Sequence, residues 1–493
     1  MISHELKEVR EYEAANEKLI GELQRPKFHL TPRIGWMNDP NGFSCYNGRY
    51  HMFYQYHPYS TNWGPMHWGH AVSSDLLHWD YLPAALAPDR EYDKDGCFSG
   101  NSVELCDGRQ LLMYTGVVKK EENGKHLEIQ QQCIAVGDGK EYEKYSGNPV
   151  LTAEDLPEGA SKVDFRDPKV WRKSDGTYCC IIGNRPADGS GQILLFSSKD
   201  GFDWKYEKVF AANNNRFGKM WECPDFFETD GKGVLLVSPQ DMLAEELEYV
   251  SGNGTLCMIG SYESDGDKFE IEHTQSADYG IDFYAPQTVL SPDGRRIMIG
   301  WMQNWDTCSL RHPDHRWYGQ MSIPREVCVK NGRLYQMPVR EIEQMRTGEV
   351  AHRKVLSNEI AQLEGISGRC VDMELTVQPA EKGKTYKKFT MRFAQDEQFY
   401  TELTYAPEYS VFEVDRSFSG SRRAIAHKRK CEVLSKDGVL KLRIILDRFS
   451  AEVFINDGEK TVSTVIYTEI EAEGISFGAD GDILLDVKKY ELI

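Results

Sequence analysis

Hydrophobic and polar positions change rhythm twice along this chain. In residues 4–24 the apolar positions Leu6, Val9, Tyr12, Leu19, Ile20 and Leu23 fall near helical spacing among many charges, which predicts a short amphipathic helix. Arg25-Pro26 ends it, because the residue before a proline is pushed out of helical geometry. Short apolar and aromatic runs follow, separated by Asn47-Gly48, Asp107-Gly108, Asp138-Gly139, Asp175-Gly176, Asp230-Gly231 and Asp293-Gly294, the punctuation of antiparallel hairpins. After Pro338 the texture changes again: a short linking helix over 339–345, then alternating strand-like segments such as 373–377, 440–446 and 451–455, which predict a β-sandwich.

A faint repeat underlies the middle region. Five strands carry polar residues at their start, and the markers Asp39, Ser99, Asp167, Glu222 and Ala285 recur about every 60 residues. A second series, an Asp four residues before an aromatic, has the same period: Asp75 and Trp79, Asp138 and Tyr142, Asp200 and Trp204, Asp265 and Phe269. Two interleaved series with one period mean one supersecondary unit repeated, and in an all-β chain that unit is a four-stranded propeller blade. The expectation is therefore an all-β chain: an N-terminal helix over 1–25, a five-bladed β-propeller over 26–338, a linker over 339–355 and a C-terminal β-sandwich over 356–493. First strands of blades line the axis, so the five marker positions should meet there.

Composition narrows the partners. Of 493 residues, 58 are Lys or Arg and 77 are Asp or Glu, a formal charge of −19. Nucleic acid and anionic membrane surfaces need clustered cations and are excluded as main partners. The N-terminus lacks the cationic start and apolar core of a secretory signal, and no run approaches the roughly 18 apolar residues of a membrane span, so a cytoplasmic location is expected. The twelve cysteines are scattered without a C-x-x-C pair and read as reduced thiols. His67 and His70 stand three apart without further ligands at metal spacing, so neither a metal nor another cofactor is expected. The 10 Trp, 25 Tyr and 21 Phe, many beside Asn, Gln, His and Asp, suit a surface that stacks on sugar-like faces. A small sugar is the expected ligand, with homo-oligomerisation left open.

The chemistry rests on three acids. Asp39, Asp167 and Glu222 begin inner strands, each followed within two residues by a proline. A single acid at a strand end is ordinarily a turn or a polar cap. Three at blade-equivalent positions repel one another across a common axis, and such repulsion raises pKa values until one carboxyl is protonated beside an ionised one. That pairing is what cleavage of a glycosidic bond requires. Metal-assisted hydrolysis lacks the expected further ligands, and Cys223, without a histidine in a comparable position, reads as packing.

The motifs Gly35-Trp36-Met37-Asn38-Asp39-Pro40-Asn41-Gly42, Phe165-Arg166-Asp167-Pro168 and Trp221-Glu222-Cys223-Pro224-Asp225 resemble the three signatures of glycoside hydrolase family 32, the β-fructofuranosidases that include invertase and sucrose-6-phosphate hydrolase. The resemblance extends through Trp63-Gly64-Pro65-Met66-His67-Trp68, Phe98-Ser99-Gly100, Tyr284-Ala285-Pro286-Gln287 and Ile299-Gly300-Trp301-Met302 into the C-terminal region. It implies retaining hydrolysis of the β-fructofuranosidic bond of sucrose or sucrose 6-phosphate, with fructan exo-hydrolysis or fructosyl transfer as the alternative and a non-catalytic sugar-binding propeller as the third reading. Asp39 would be the nucleophile, Glu222 the general acid and base, and Asp167 the residue that steadies the transition state. Asn38, Gln55, Ser99 and Arg166 would grip hydroxyls or orient the acids, while Trp36, Trp63, Phe98 and Trp301 would belong to the substrate pocket. The segment 306–318 departs from the family pattern, and its Arg311, His312, His315 and Arg316 are candidate partners for a phosphate.

Overall fold

A computed structural model of the chain describes all residues except 1, 123, 309–313 and 421–425. The N-terminal helix is His4–Asn16, capped by the Ser3 hydroxyl, which accepts from the Leu6 amide. It is shorter than the periodicity predicts: residues 17–24 form two single 3-10 turns instead. Its buried Leu6 and Val9 pack on the first blade.

Five blades follow, with inner strands Gly35–Tyr46, Gly96–Glu104, Phe165–Arg172, Trp221–Thr229 and Tyr284–Leu290. Each inner strand neighbours the next, and the fifth neighbours the first. The ring is closed further by the short strand Trp317–Tyr318, which pairs parallel with Gly35 and Trp36. Inner strands are buried on both faces, whereas outer strands such as Lys205–Ala212 alternate between exposed and covered positions. Apolar side chains fill the gaps between adjacent blades, as where Cys179, Ile181 and Ile193 of the third meet Phe226 and Leu235 of the fourth.

The second repeat series marks the connection between third and fourth strands of the first four blades. Asp75 Oδ1 accepts from the amides of Leu77 and His78, and Asp200 Oδ1 accepts from Phe202 and Asp203, so the recurring Asp closes a local turn before the aromatic of the outer strand. Of the six predicted turn dipeptides, Asn47-Gly48 and Asp230-Gly231 have positive φ at both residues, the geometry that suits the right-handed twist of a two-residue hairpin.

Residues 339–355 are not a linker. Arg340–Met345 is a 3-10 turn, and Arg346–Ser357 is a strand paired along its length with the last strand, Asp482–Leu492. The alternation in Val350, His352 and Lys354 was too polar to signal a strand, because this strand lies at a sheet edge with much of its length exposed. The two six-stranded sheets of the sandwich enclose a core that includes Leu375, Phe389, Met391, Leu403 and Phe477.

A buried polar network joins sandwich to propeller. His29, ahead of the first blade, contacts Asp447 through Nδ1 at 2.8 Å and Glu452 through Nε2 at 3.0 Å, with all three side chains fully buried. Arg325 of the fifth blade reaches Glu452 at 2.9 Å, Asp278 at 2.9 Å and Ser463 at 2.6 Å. Burial alone would push the His29 imidazole down, but the two carboxylates hold its proton and raise its pKa to about 9. A base raised in this way stabilises the fold fully below its unfolded value and loses that contribution as pH climbs through about 9. With about 1.4 kcal/mol per tenfold change in proton affinity, the contribution is on the order of 3 kcal/mol. The denaturant midpoint should therefore fall between pH 7 and pH 10, and His29→Asn should be less stable at pH 7 and flatter across that range. An unchanged slope in the variant would assign the alkaline loss to another group.

Candidate active site

Every inner strand carries an irregularity at or one residue from a common register, and the first carries a second between Asn41 and Ser44. Between Met37 and Pro40, Phe98 and Gly100, Arg166 and Lys169, Glu222 and Asp225, and Tyr284 and Gln287, the inner strand holds one residue more than its neighbour. These β-bulges bend the strand and re-aim its side chains. Each sits at an X-Pro or, in the second blade, Ser99-Gly100 step, where proline's missing N–H costs no ladder bond. Asp167, Cys223 and Ala285 have φ of 66°, 47° and 51°, a left-handed conformation uncommon for residues with a Cβ.

The bulges sort the axial side chains into three tiers. Asp39, Ser99, Asp167, Cys223 and Ala285 form the middle tier. The register therefore corrects one marker: the fourth-blade equivalent of Asp39 and Asp167 is Cys223, and Glu222 precedes it. Glu222 instead shares a tier with Arg166 and Tyr284, the corresponding residues of the two flanking blades, and these are its partners. Arg166 Nη2 donates to Glu222 Oε1 at 2.9 Å, and the Tyr284 hydroxyl donates to Oε2 at 2.7 Å. Beneath the middle tier lie Asn41, Asn101, Lys169, Asp225 and Gln287, one per blade, where Lys169 pairs with Asp225 at 2.7 Å and Asn101 donates to Gln287 at 2.9 Å.

In the middle tier Ser99 donates to Asp39 Oδ2 at 2.9 Å and the Cys223 amide donates to Asp167 Oδ2 at 3.0 Å. The Cys223 thiol lies 3.5 Å from Asp39 Oδ2 and 3.6 Å from Asp167 Oδ2, so Cys223 belongs to the site and is more than packing. Burial pushes its thiol well above the ordinary range, which makes it a neutral donor and not a thiolate nucleophile. Asp39 Oδ1 is buried and has no hydrogen-bond partner at normal geometry among the described residues, with the Asn38 side chain its nearest source of a donor, and the residue lines the cavity. Burial first, then the negative charges of Asp167 and Glu222, raises Asp39 to about 7. Burial also raises Asp167, while Arg166, 3.9 Å from its Oδ2, pulls back and Glu222 pushes up again.

These groups open into a cavity of about 560 Å³ lined by Asn38, Asp39, Gln55, Trp63, Phe98, Ser99, Arg166, Asp167 and Glu222, nine of the eleven residues the sequence points to. Trp36 and Trp301 stand one layer behind. Trp36 is 1% exposed, stacks on Tyr318 with centroids 5.0 Å apart, and donates its indole N–H to Asn38 at 2.7 Å. The aromatic that reaches the cavity from this cluster is Trp305, which stacks parallel to Trp36. Trp63, 40% exposed, meets Phe98 edge-on at the opposite wall. Sequence reasoning missed Trp305, Tyr284, Glu128, Gln130, Asp164, Gln240, Asp241 and Asn253. For Tyr284 the signal existed, since it precedes Ala285-Pro286 as Glu222 precedes Cys223-Pro224; Glu128 and Gln130 stand on the third strand of the second blade and the others on loops, outside the repeat. Of the candidate cations, His315 stacks on Trp317 away from the cavity, Arg316 does not line it, and Arg311 and His312 lie outside the described residues. His67 and His70 are buried, the latter against His51 at 3.0 Å, and among the described residues no three metal-ligating side chains cluster.

A five-bladed propeller with paired acids in an axial cavity is an arrangement suited to glycoside hydrolysis, and the family match places the chain in that class. The chain belongs to glycosyl hydrolases family 32: the family's N-terminal domain matches residues 29–338 and its C-terminal domain residues 341–491. It is 39% identical to the raffinose invertase of Escherichia coli over 96% of each chain, and 38% identical to a sucrose-6-phosphate hydrolase of the same species over 92% of this chain and 91% of that one. Among solved structures, a GH32 beta-fructofuranosidase of Bombyx mori superposes with a TM-score of 0.83 at 33% identity, covering 99% of this chain and 97% of that one. The same Bombyx mori enzyme has been solved as a variant in complex with sucrose.

The Ser99 hydroxyl favours the ionised form of Asp39, so its removal should raise the Asp39 pKa. A hydrogen bond to a charged group contributes roughly 1.5–3 kcal/mol, and about 1.4 kcal/mol corresponds to one pH unit. If an ionised Asp39 is required for turnover, the acid limb of kcat/KM should fall near pH 7 and move up by about one pH unit in Ser99→Ala. A limb that stays in place would remove Asp39 as its origin.

Proposed function

We propose that the chain hydrolyses the β-fructofuranosidic bond of sucrose or sucrose 6-phosphate and releases fructose with retention through a covalent intermediate. The observation that carries this reading is the pairing, across one cavity, of an Asp39 oxygen without a hydrogen-bond partner at normal geometry and a Glu222 carboxyl held from both sides by Arg166 and Tyr284. The E. coli relatives and the sucrose complex of the Bombyx mori enzyme support the substrate.

Asp39 Oδ1 attacks the anomeric carbon of the fructosyl unit while Glu222, carrying a proton, delivers it to the departing glycosidic oxygen. The bond to the leaving sugar breaks as the Asp39 ester forms. Glu222, now ionised, takes a proton from water, and the resulting hydroxide displaces Asp39 from the opposite face, which restores the original configuration. Ester formation neutralises Asp39 as Glu222 becomes ionised, so the negative charge passes from Asp39 to the carboxylate that Arg166 and Tyr284 hold. Asp167, held by the Cys223 amide and close to Arg166, accepts from fructose hydroxyls and faces the positive charge that develops on the ring. Asn38, Gln55, Ser99 and Arg166 fix hydroxyls or acids, and Trp63, Phe98 and Trp305 offer apolar faces.

A reducing compartment such as the cytoplasm suits the twelve free thiols. Fructan trimming or fructosyl transfer would use the same two acids with a different occupant of the leaving-group side.

Asp39→Asn should fold normally and lose turnover by at least ~10³-fold, and Glu222→Gln should lose roughly 10²–10⁴-fold, most for substrates with poor leaving groups. Steady-state kinetics across leaving groups, with NMR of the fructose first released, checks both. An inverted product, or a Glu222→Gln loss equal for all leaving groups, would overturn the assignment. Glucose released in excess of fructose from sucrose would favour transfer.

A further inference from the structure

We infer that the leaving-group half of this cavity selects an uncharged, hydroxyl-rich sugar and rejects one that carries a phosphate. The inference rests on the function proposed above and decides between its two substrates.

Because Glu222 must reach the glycosidic oxygen, the departing sugar lies on its side of the cavity. The strand beside Glu222 leads there: Glu222 pairs with Ser238, and the loop that follows this strand, Lys232–Pro239, carries Gln240 and Asp241. In addition to the three axial acids, Glu128, Asp164 and Asp241 line this cavity. Among the described lining residues Arg166 is the one Lys or Arg, and its guanidinium is already engaged. Its Nε and Nη2 donate to Glu222 at 3.2 and 2.9 Å, and its Nη1 donates to Asp164 at 2.9 Å and to Gln130 at 3.3 Å.

Arg166 and Arg185 offset Asp164, but the other two outer acids are differently placed. Glu128 meets the neutral amide of Gln130 at 2.9 Å, and Asp241 is exposed at the cavity wall. A phosphate monoester brings between −1.5 and −2 charges at neutral pH and needs donors, which phosphate sites supply through Arg, Lys or clustered backbone N–H groups. This wall instead presents acceptors. The carboxylates accept from sugar hydroxyls, and the uncharged side-chain amides of Gln240 and Asn253 can donate to or accept from them without balancing a phosphate's charge.

Among the described residues, cations do stand just outside the lining: the half-buried Arg185, engaged by Asp164, and the exposed Lys119, whose Nζ lies 5.8 Å from the ring centre of Trp63. Lys119 could serve a phosphate only by leaving that ring and reaching past it. Like-charge repulsion over these distances falls within about one Debye length of 10 Å at 0.1 M salt, so the discrimination should depend on ionic strength.

The experiment is kcat/KM of the full-length enzyme for sucrose and for sucrose 6-phosphate, at low and high salt. We expect sucrose to be favoured at least tenfold at low salt, with the gap narrowing as salt rises. Asp241→Asn and Glu128→Gln should each shift the ratio severalfold toward the phosphorylated substrate. Equal or better turnover of sucrose 6-phosphate would overturn the inference, and loss of that turnover in Lys119→Ala would then identify the cation. A ratio unmoved by both salt and the two variants would also overturn it, since the preference would not be electrostatic. Failure to cleave either sugar would refute the proposed function itself, a different result.

Discussion

Everything at this site depends on one extra residue per blade. A regular inner strand would alternate its side chains between the two faces of its own sheet, and the axis would receive only what that alternation allows. The bulge at each Pro or Gly step breaks the alternation, so that successive residues, Asn38 and Asp39 or Arg166 and Asp167, can both line the cavity. Five side chains then converge in one tier, which explains why its members are small: Asp39, Ser99, Asp167, Cys223 and Ala285. The left-handed backbone at Asp167, Cys223 and Ala285 is the conformational cost of that convergence.

Placing three carboxylates together under burial is unfavourable unless donors are supplied, and the tiers divide that work. Ser99 and Cys223 donate within the middle tier, Arg166 and Tyr284 donate in the tier above, and the Lys169–Asp225 pair below brings no net charge toward the acids. The compensation is incomplete at Asp39, whose Oδ1 has no donor at normal geometry and whose proton affinity is raised. An acid fully satisfied in the resting protein would be a poor nucleophile. The remaining imbalance is what a substrate can relieve.

The sequence made the propeller legible because its repeat has physical causes: a turn closed by an Asp side chain before the outer strand, as at Asp75, Asp138 and Asp200, and a bulge at each inner strand. The three acids and Phe98 were legible for the same reason, since all lie within the repeated inner-strand motifs; Trp63, on the loop before the third strand of the first blade, was legible only through the family resemblance. What remained hidden were relations that no period encodes. The one-residue offset between Cys223 and Glu222 is a matter of ladder register, visible only once Ser238 and Leu236 are seen opposite Glu222 and Asp225. Trp36 and Trp301 share motifs with the acids, yet their size sends them behind the cavity wall, where Trp305 from a non-repeating loop covers them. The strand over 346–357 escaped notice because its partner, the last strand, is more than a hundred residues away and its own exposed face is polar.

The sandwich contributes no side chain to the described lining of the cavity, yet it is built into the scaffold that holds it. Glu452 accepts from the Ile323 amide at 2.6 Å and from Arg325, which ties the sandwich to the segment just after the ring-closing strand Trp317–Tyr318. Tyr318 stacks on Trp36, and Trp36 fixes Asn38, the neighbour of Asp39. A buried ionic network of this kind contributes less net stability than its short contacts suggest, because each charge has lost its water. Its stronger effect is on register: His29, Asp278 and Arg325 accept Asp447, Glu452 and Ser463 in one arrangement, and a slipped interface would strand a buried charge. The seam therefore fixes where the propeller ring closes, and the closed ring is what brings the first blade's Asp39 against the third and fourth blades' Asp167 and Glu222.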